Sequence, residues 1–391
     1  MSSALMQNYG TRELKFERGE GSYLFTKDGA RYLDFGMGIA VNSLGHCNPT
    51  LIEALTDQAN RLWHTSNLYN IEPGEQLANK LVASTFADRV FFCNSGTEAI
   101  ECGFKAIRRY FHSKGQSQKN RIVSMSGAFH GRSLAAIASA ANPAHCEGFL
   151  VGDPGFDQAE FGDLESLLSV VTQSTAGIVI EPIQGEGGIN VADIEYLKAA
   201  RELCDSHNIL LMFDEVQCGI ARTGTLYAYQ QLGVSPDILA TAKGLGGGFP
   251  IGACLATEEV ASALVAGTHG STFGGNPLAT AVGNAVMDTL NDPDFLNKVR
   301  ELGTYFKNEL QKLVKRYPLL LKEVRGLGLM LGLYCLTDAG QLIARLQEQK
   351  LLVVKAGRNS VRLLPALNVT KNEIDSAVKI ISKALLDIEN S

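Results

Sequence analysis

No stretch of this chain is long and apolar enough to be read as a membrane span. Its longest apolar runs, such as Gly326–Leu336, fall well short of the roughly 20 residues such a helix needs. The opening MSSALMQNYG has no basic segment ahead of an apolar run, so no secretory signal is expected. The eight cysteines, at 47, 93, 102, 146, 204, 218, 254 and 335, include no C-x-x-C pair. That scatter argues against a zinc site and predicts reduced, mostly buried thiols in a cytoplasmic protein. Positive charge is not in excess either. A formal net charge of −6 argues against nucleic acid or an anionic membrane as the main partner. No period of about 20–50 residues repeats, so a solenoid is excluded.

What is present is ordinary globular composition, with 45% hydrophobic and 19% charged residues. The 391 residues exceed the roughly 250–300 at which single cores stop growing, so two domains are expected. From about residue 50 to 275, short apolar runs alternate with helical patterns. Predicted strands are Arg89–Cys93, Arg121–Met125, Ala176–Ile180, Ile209–Phe213 and Ile238–Ala242. The clearest helix is Thr97–Phe111, where Ile100, Phe104, Ile107 and Phe111 recur on one face. This alternation predicts an α/β fold with a mainly parallel sheet covered on both faces. After Asn276 come predicted helices at Pro277–Leu290 and Phe295–Lys315 and strands at Gly326–Tyr334, Leu351–Lys355 and Ser360–Leu364. Thr370 and Glu373 form a capping box for a last helix. With the β-like pieces Gly21–Phe25 and Arg31–Phe35, these read as a smaller α+β domain. The expected division is 49–275 for the large domain, with 1–48 and 276–391 for the small one.

Ligands of a parallel sheet sit beyond the carboxyl ends of its strands, and four polar features occur there. In FFCNSGTEA (91–99), Ser95, Gly96 and Thr97 join a strand to a helix start, which suits either a phosphate or an ordinary N-cap. In LLMFDEVQ (210–217), Asp214 and Glu215 close a strand. A buried carboxylate there needs a partner: a protonated pyridinium nitrogen, a metal, or a helix N-terminus. In DILATAKGLGGGFPIG (237–252), Lys243 follows a strand and precedes a glycine turn. An apolar strand end lowers a lysine's pKa and makes its amine nucleophilic, as Schiff-base chemistry requires. GLGGG is not a dinucleotide fingerprint, because it lacks the G-x-G-x-x-G spacing at a helix start. In SGAFHGRS (126–133), Phe129 suits stacking on a flat ring or core packing, and Arg132 suits a carboxylate or a surface ion pair. Each feature is modest alone. A phosphate loop, an aromatic, an aspartate and a lysine in this order are what one pyridoxal-phosphate site demands.

FFCNSGTEAIE, FHGRS, EPIQGEGG, MFDEVQCGIARTG, PDILATAKGLGGGFPIGA and HGSTFGGNPLATA together resemble class III aminotransferases of fold type I. The likeness runs from YLDFGMGIAVNSLGH (32–46) to VRLLPAL (361–367). It implies pyridoxal 5'-phosphate (PLP) as cofactor, Lys243 as Schiff-base lysine and Asp214 as partner of the pyridine nitrogen. It places Ser95, Gly96 and Thr97 at the phosphate, Phe129 on the ring, and Glu215, Val216 and Gln217 beside the cofactor, Gln217 near its phenolic oxygen. Thr272 would reach the phosphate of a neighbouring subunit, which implies a homodimer with composite sites, and Ser271 would approach substrate. Arg132 would hold a distal carboxylate, Arg362 would lie near the reacting carbon, and Glu186 would cover Arg362. His130 and His269 are read as structural. Ala221, where a glycine is usual, is a local departure.

The implied reaction passes the terminal amino group of N2-acetyl-L-ornithine to 2-oxoglutarate in two half-reactions, within arginine biosynthesis. Alternative donors are ornithine, succinylornithine, N-succinyl-diaminopimelate and 4-aminobutyrate. A racemase or decarboxylase on the same scaffold is a more distant alternative. A catalytically silent PLP binder is disfavoured by the presence of Lys243, Asp214 and Arg132 together.

Overall fold

Three strands, Phe16–Glu20 (β1), Tyr23–Thr26 (β2) and Arg31–Asp34 (β3), form an antiparallel ribbon near the start of the computed structural model, which describes residues 4–9, 13–149 and 152–390. The strands that follow are Arg89–Cys93 (β4), Arg121–Met125 (β5), Phe156–Ala159 (β6) and Thr175–Ile180 (β7). A two-stranded hairpin, Ile183–Gln184 (β8) and Asn190–Val191 (β9), comes next. Leu210–Asp214 (β10), Ile238–Thr241 (β11) and Gly252–Ala256 (β12) complete the central region.

Seven of these make one sheet in the order β4-β12-β11-β10-β7-β5-β6. The β11-β10-β7-β5-β6 block is parallel, as expected, while β12 runs antiparallel to both its neighbours. β7, β10, β11 and β12 are buried along their whole length, which a sheet flanked by helices on both faces requires. β6 and β12 were not among the predicted strands. β12 (GACLA) is built of small residues because β4 and its loop crowd it: a Cβ on Gly252 would stand 2.5 Å from the Ser95 carbonyl oxygen.

The predicted amphipathic helix spans Gly96–Ser113, and Ile100, Phe104, Ile107 and Phe111 are all at most 1% exposed. Burying each such side chain contributes about 1.5–3 kcal/mol, so this face anchors the helix to the sheet. Ser95 caps it by accepting the Glu98 N–H at 3.3 Å.

The later chain corrects two strand readings. Gly326–Tyr334 is not one strand but the bend of a hairpin, Leu321–Leu327 (β13) and Met330–Cys335 (β14). Gly328 turns it at φ +55°, and a Cβ there would lie 2.5 Å from the Thr223 carbonyl carbon. Leu351–Lys355 divides into Leu351–Leu352 (β15), parallel to β3, and Val354–Ala356 (β16), antiparallel to Ser360–Leu363 (β17). One run thus serves two sheets, β1-β2-β3-β15 and β13-β14-β17-β16. The helix Pro277–Leu290 packs along the helices Pro49–Ala59 and Glu72–Ala83. The last helix, Lys371–Glu389, opens with both capping-box bonds between Thr370 and Glu373 in place. Among the described residues, no helix is long and apolar enough to cross a membrane.

Candidate active site

Parallel strands end on one edge, so the residues that follow them converge. Asp214 ends β10 opposite Ala240 of β11, three residues before Lys243, and Ser95 follows β4. All three line one cavity of about 310 Å³.

Lys243 takes a left-handed turn (φ +44°) into the short helical turn Lys243–Gly246. Among the described residues its amine has no hydrogen-bond or ion-pair partner. Burial lowers its pKa, against the opposing pull of Glu186 and Asp214, so its charged form is disfavoured relative to that of a free lysine. Asp214 is 4% exposed. Its Oδ1 accepts the Val216 N–H at 3.0 Å, and its Oδ2 lies 2.7 Å from His130 Nδ1. Burial works against charge on His130, yet the Asp214 hydrogen bond and charge outweigh it and raise its pKa. His130 Nε2 faces Ser124 Oγ at 3.3 Å, which fixes the ring at both nitrogens. Glu181 also lines the cavity and accepts the Phe129 N–H at 3.2 Å. Burial pushes its carboxyl pKa up. No spacing rule links residues 130, 181 and 214, so this cluster was not legible beforehand.

The start of the helix Gly96–Ser113 also lines the cavity, with Ser95, Gly96 and Thr97. Gly131 (φ +122°) allows the chain to pass there; a Cβ on it would stand 2.7 Å from Thr97 Cβ. Phe129 and Val216 line the space between. An anion-favouring helix start, a carboxylate, apolar groups and a buried amine lining one cavity fit a flat ring bearing a phosphate and a basic ring nitrogen. That is the chemistry of PLP.

Arg362, on β17, meets two residues of the cavity wall. Its Nη1 and Nη2 donate to Glu186 Oε1 and Oε2 at 2.6 and 2.9 Å, and Nη1 also donates to Gln217 Oε1 at 3.1 Å. Beyond Phe129 and Glu186, which line both spaces, a second chamber of about 690 Å³ contains Arg132. The first cavity therefore gathers Ser95, Gly96, Thr97, Phe129, Glu186, Asp214, Val216, Gln217 and Lys243, and the second adds Arg132.

Four expected residues line neither space: Arg362, which touches the first only through Glu186 and Gln217, and Glu215, Ser271 and Thr272. Glu215, next to Asp214 on an extended segment, points the other way: its oxygens accept the Ala228 and Tyr229 N–H groups at 2.6 and 2.8 Å. It caps a helix start rather than facing the cavity, and burial raises its pKa to about 7. Ser271 stands behind the cavity wall, its Oγ accepting Asn94 Nδ2 at 3.2 Å and the Gly274 N–H at 3.0 Å. Thr272 is exposed and lines neither space. His269 lines neither space, its Nδ1 2.7 Å from Lys105 Nζ. No group of side chains suited to a metal occurs among the described residues.

Residues 5–385 match the family described as Aminotransferase class-III. The chain is 52% identical over 372 residues to an acetylornithine aminotransferase from Agrobacterium fabrum, covering 95% of this chain and 93% of that one. Among solved structures it is similar to the N-acetylornithine aminotransferase of Stenotrophomonas maltophilia, at TM-score 0.86 and 36% identity, covering 98% of each chain. It is also similar to the ornithine aminotransferase of Toxoplasma gondii, at TM-score 0.95 and 32% identity, covering 99% of this chain and 93% of that one. Geometry and relatedness agree: this chain belongs to the class-III aminotransferases of fold type I, which depend on pyridoxal 5'-phosphate.

Proposed function

We propose that the protein transfers the terminal amino group of N2-acetyl-L-ornithine to 2-oxoglutarate, giving N-acetyl-L-glutamate 5-semialdehyde and L-glutamate, a step of arginine biosynthesis. The observation that carries the reading is the Glu186–Arg362 ion pair at the edge of the Lys243 cavity. An ω-amine donor brings no carboxylate to the reacting carbon, so a cation there needs a counter-charge of the protein's own. Glutamate brings that carboxylate itself.

When bound, the cofactor supplies a ring that withdraws electrons from the carbon bearing the amino group. Lys243 would hold it covalently, and its amine would serve as the base for the proton at that carbon. Asp214, oriented by His130, would keep the ring nitrogen protonated. Ser95, Gly96 and Thr97 would receive the phosphate, and Phe129, Val216 and Gln217 would hold the ring. Arg132 holds the substrate's distal carboxylate. Arg362 takes the carboxylate beside the reacting carbon of glutamate or 2-oxoglutarate after Glu186 moves aside.

A homodimer is part of this reading, with Thr272 and Ser271 completing the partner's site. Its support is an exposed apolar surface around that loop: Trp63 at 64%, Leu68 at 83%, Tyr69 at 70% and Phe273 at 60% exposed. The site lies between a large domain, 49–275, and a small one, 1–48 with 276–391. The cytoplasm is the proposed compartment, supported by eight free cysteines.

The test is a panel of amine donors with 2-oxoglutarate. N2-Acetylornithine should show the highest kcat/KM, above ornithine and 4-aminobutyrate. Glutamate alone should convert bound cofactor to its pyridoxamine form in stoichiometric amount. A different donor in first place would refute the assignment.

A further inference from the structure

Glu181 is the carboxyl of the Lys243 cavity that the proposed chemistry leaves without a task. It directly follows β7, and Asp214 ends β10. These strands are parallel neighbours in the register Phe213↔Ile180. The next residue of each therefore sets two carboxyls side by side, about one strand spacing of 5 Å apart. Both line the cavity and both are buried, Asp214 at 4% and Glu181 at 6% exposed.

Their partners differ. Asp214 accepts the Val216 N–H at 3.0 Å and lies 2.7 Å from His130 Nδ1. Glu186, the third carboxyl of the wall, is paired with Arg362. Glu181 accepts the Phe129 N–H at 3.2 Å, and among the described residues no other hydrogen bond or ion pair reaches its carboxyl. The titratable groups around it are committed elsewhere. From the segment after β5, the His130 ring is held between Asp214 and Ser124. From the segment after β10, Cys218 Sγ lies 3.9 Å from the Asp214 carbonyl oxygen and 3.8 Å from Glu215 Oε2. Lys243, on the turn after β11, is the attachment point of the cofactor.

An ionised carboxylate has about four acceptor sites, so one backbone donor leaves a buried charge largely uncompensated. Two adjacent carboxylates also oppose each other's ionisation. Burial holds the Glu181 carboxyl well above the ordinary carboxyl range; His130 and Lys243 pull against this, and the Asp214 charge adds to it. We propose that Glu181 is a positioning residue that stands in the site as a neutral acid. One oxygen fixes the backbone of Phe129 in the cavity wall, and its proton leaves Asp214 as the one carboxylate charge at the ring nitrogen. Ionised, it would set a second negative charge beside a ring that must take up electrons, which opposes the reaction. The inference concerns the cofactor's end of the cavity and holds whichever amine donor is used.

The experiment compares wild type with Glu181→Gln, which keeps the acceptor and cannot ionise, and with Glu181→Ala, which loses both. In the cofactor-free protein, a carboxyl raised in the folded state binds more protons there than in the unfolded chain, so its contribution to stability falls as pH rises above the ordinary 4.5. The melting temperature of wild type should therefore drop relative to Glu181→Gln across that range. In the PLP-loaded enzyme, the cofactor's absorbance and the rate of the glutamate half-reaction should both show an alkaline step in wild type that Glu181→Gln lacks. At neutral pH, Glu181→Ala should slow that half-reaction about 10–100-fold, the scale for a group that orients another, and Glu181→Gln should recover most of the loss. The proposal is overturned if the melting difference is flat or runs the other way with pH, or if the alkaline step persists in Glu181→Gln. It is overturned equally if Glu181→Gln is as slow as Glu181→Ala, since the site would then need the charge. Should Glu181→Ala not fold, the melting and absorbance comparisons of wild type with Glu181→Gln decide.

Discussion

Arg362 and Glu186 meet as a two-point ion pair across 176 residues of sequence, Nη1 to Oε1 at 2.6 Å and Nη2 to Oε2 at 2.9 Å. The arginine side chain is 1% exposed and the glutamate 33%, so one partner is fixed and the other borders open space. Arg362 is held further by Gln217 and by the Lys355 carbonyl at 3.0 Å. Glu186 sits between Gly185 and Gly187, whose backbone is packed against Gln217 and Gln184, so it is the side chain of Glu186, not its segment, that borders open space. The movable member of the pair is therefore the glutamate.

Removing that cover should separate the two half-reactions. With Glu186→Gln, the glutamate half-reaction should be retained or improved, because Arg362 is then open to a carboxylate. The acetylornithine half-reaction should fall well below it, since a buried guanidinium without a counter-charge is costly. Stopped-flow absorbance of each half-reaction measures this. Equal losses in both would show that Glu186 is no selective gate.

Asp214 and His130 should act as a unit. Asp214→Asn should lower turnover by several orders of magnitude with a modest loss of cofactor binding. His130→Ala should cost about 10–100-fold, the scale for a group that orients another. It should also shift the pH dependence of the bound cofactor's absorbance, which a purely structural histidine would leave in place. Near-normal turnover in Asp214→Asn would remove the aspartate from the mechanism.

Lys243 carries a pH signature in the cofactor-free protein. Burial lowers its folded pKa below the ordinary 10.5. Between the two values the unfolded chain binds more protons, so stability rises with pH across that window. Cofactor-free Lys243→Met, lacking this group, should melt higher than wild type at low pH, and the gap should close as pH approaches 10.5. A gap independent of pH would contradict a buried, depressed amine. In the holoenzyme, borohydride reduction and peptide mapping should place the pyridoxyl group on Lys243.

Thr272 tests the shared site. An inactive Lys243→Ala protein mixed with an inactive Thr272 variant should regain some activity through hybrid dimers. The Thr272 change must be severe, since one charge-assisted hydrogen bond contributes only about 1.5–3 kcal/mol. An active monomer by light scattering would end the idea.

Local pattern was enough for much of this protein. The helix Gly96–Ser113 follows from apolar spacing, the last helix from its capping box, and the cavity's contents from polar residues set just past apolar runs, because parallel strands end on one edge. Neighbour-to-neighbour rules carry that far and no further. β12 was hidden because a short strand buried on both faces and crowded by the loop at Ser95 has no alternating pattern, and β13–β14 was hidden because the sharp turn at Gly328 answers to Thr223, distant in sequence. Glu215 and Asp214 are adjacent and chemically alike, yet one caps a helix start while the other meets His130. These outcomes depend on which distant surfaces come together, and burial then sets which carboxyl is neutral and which amine is free.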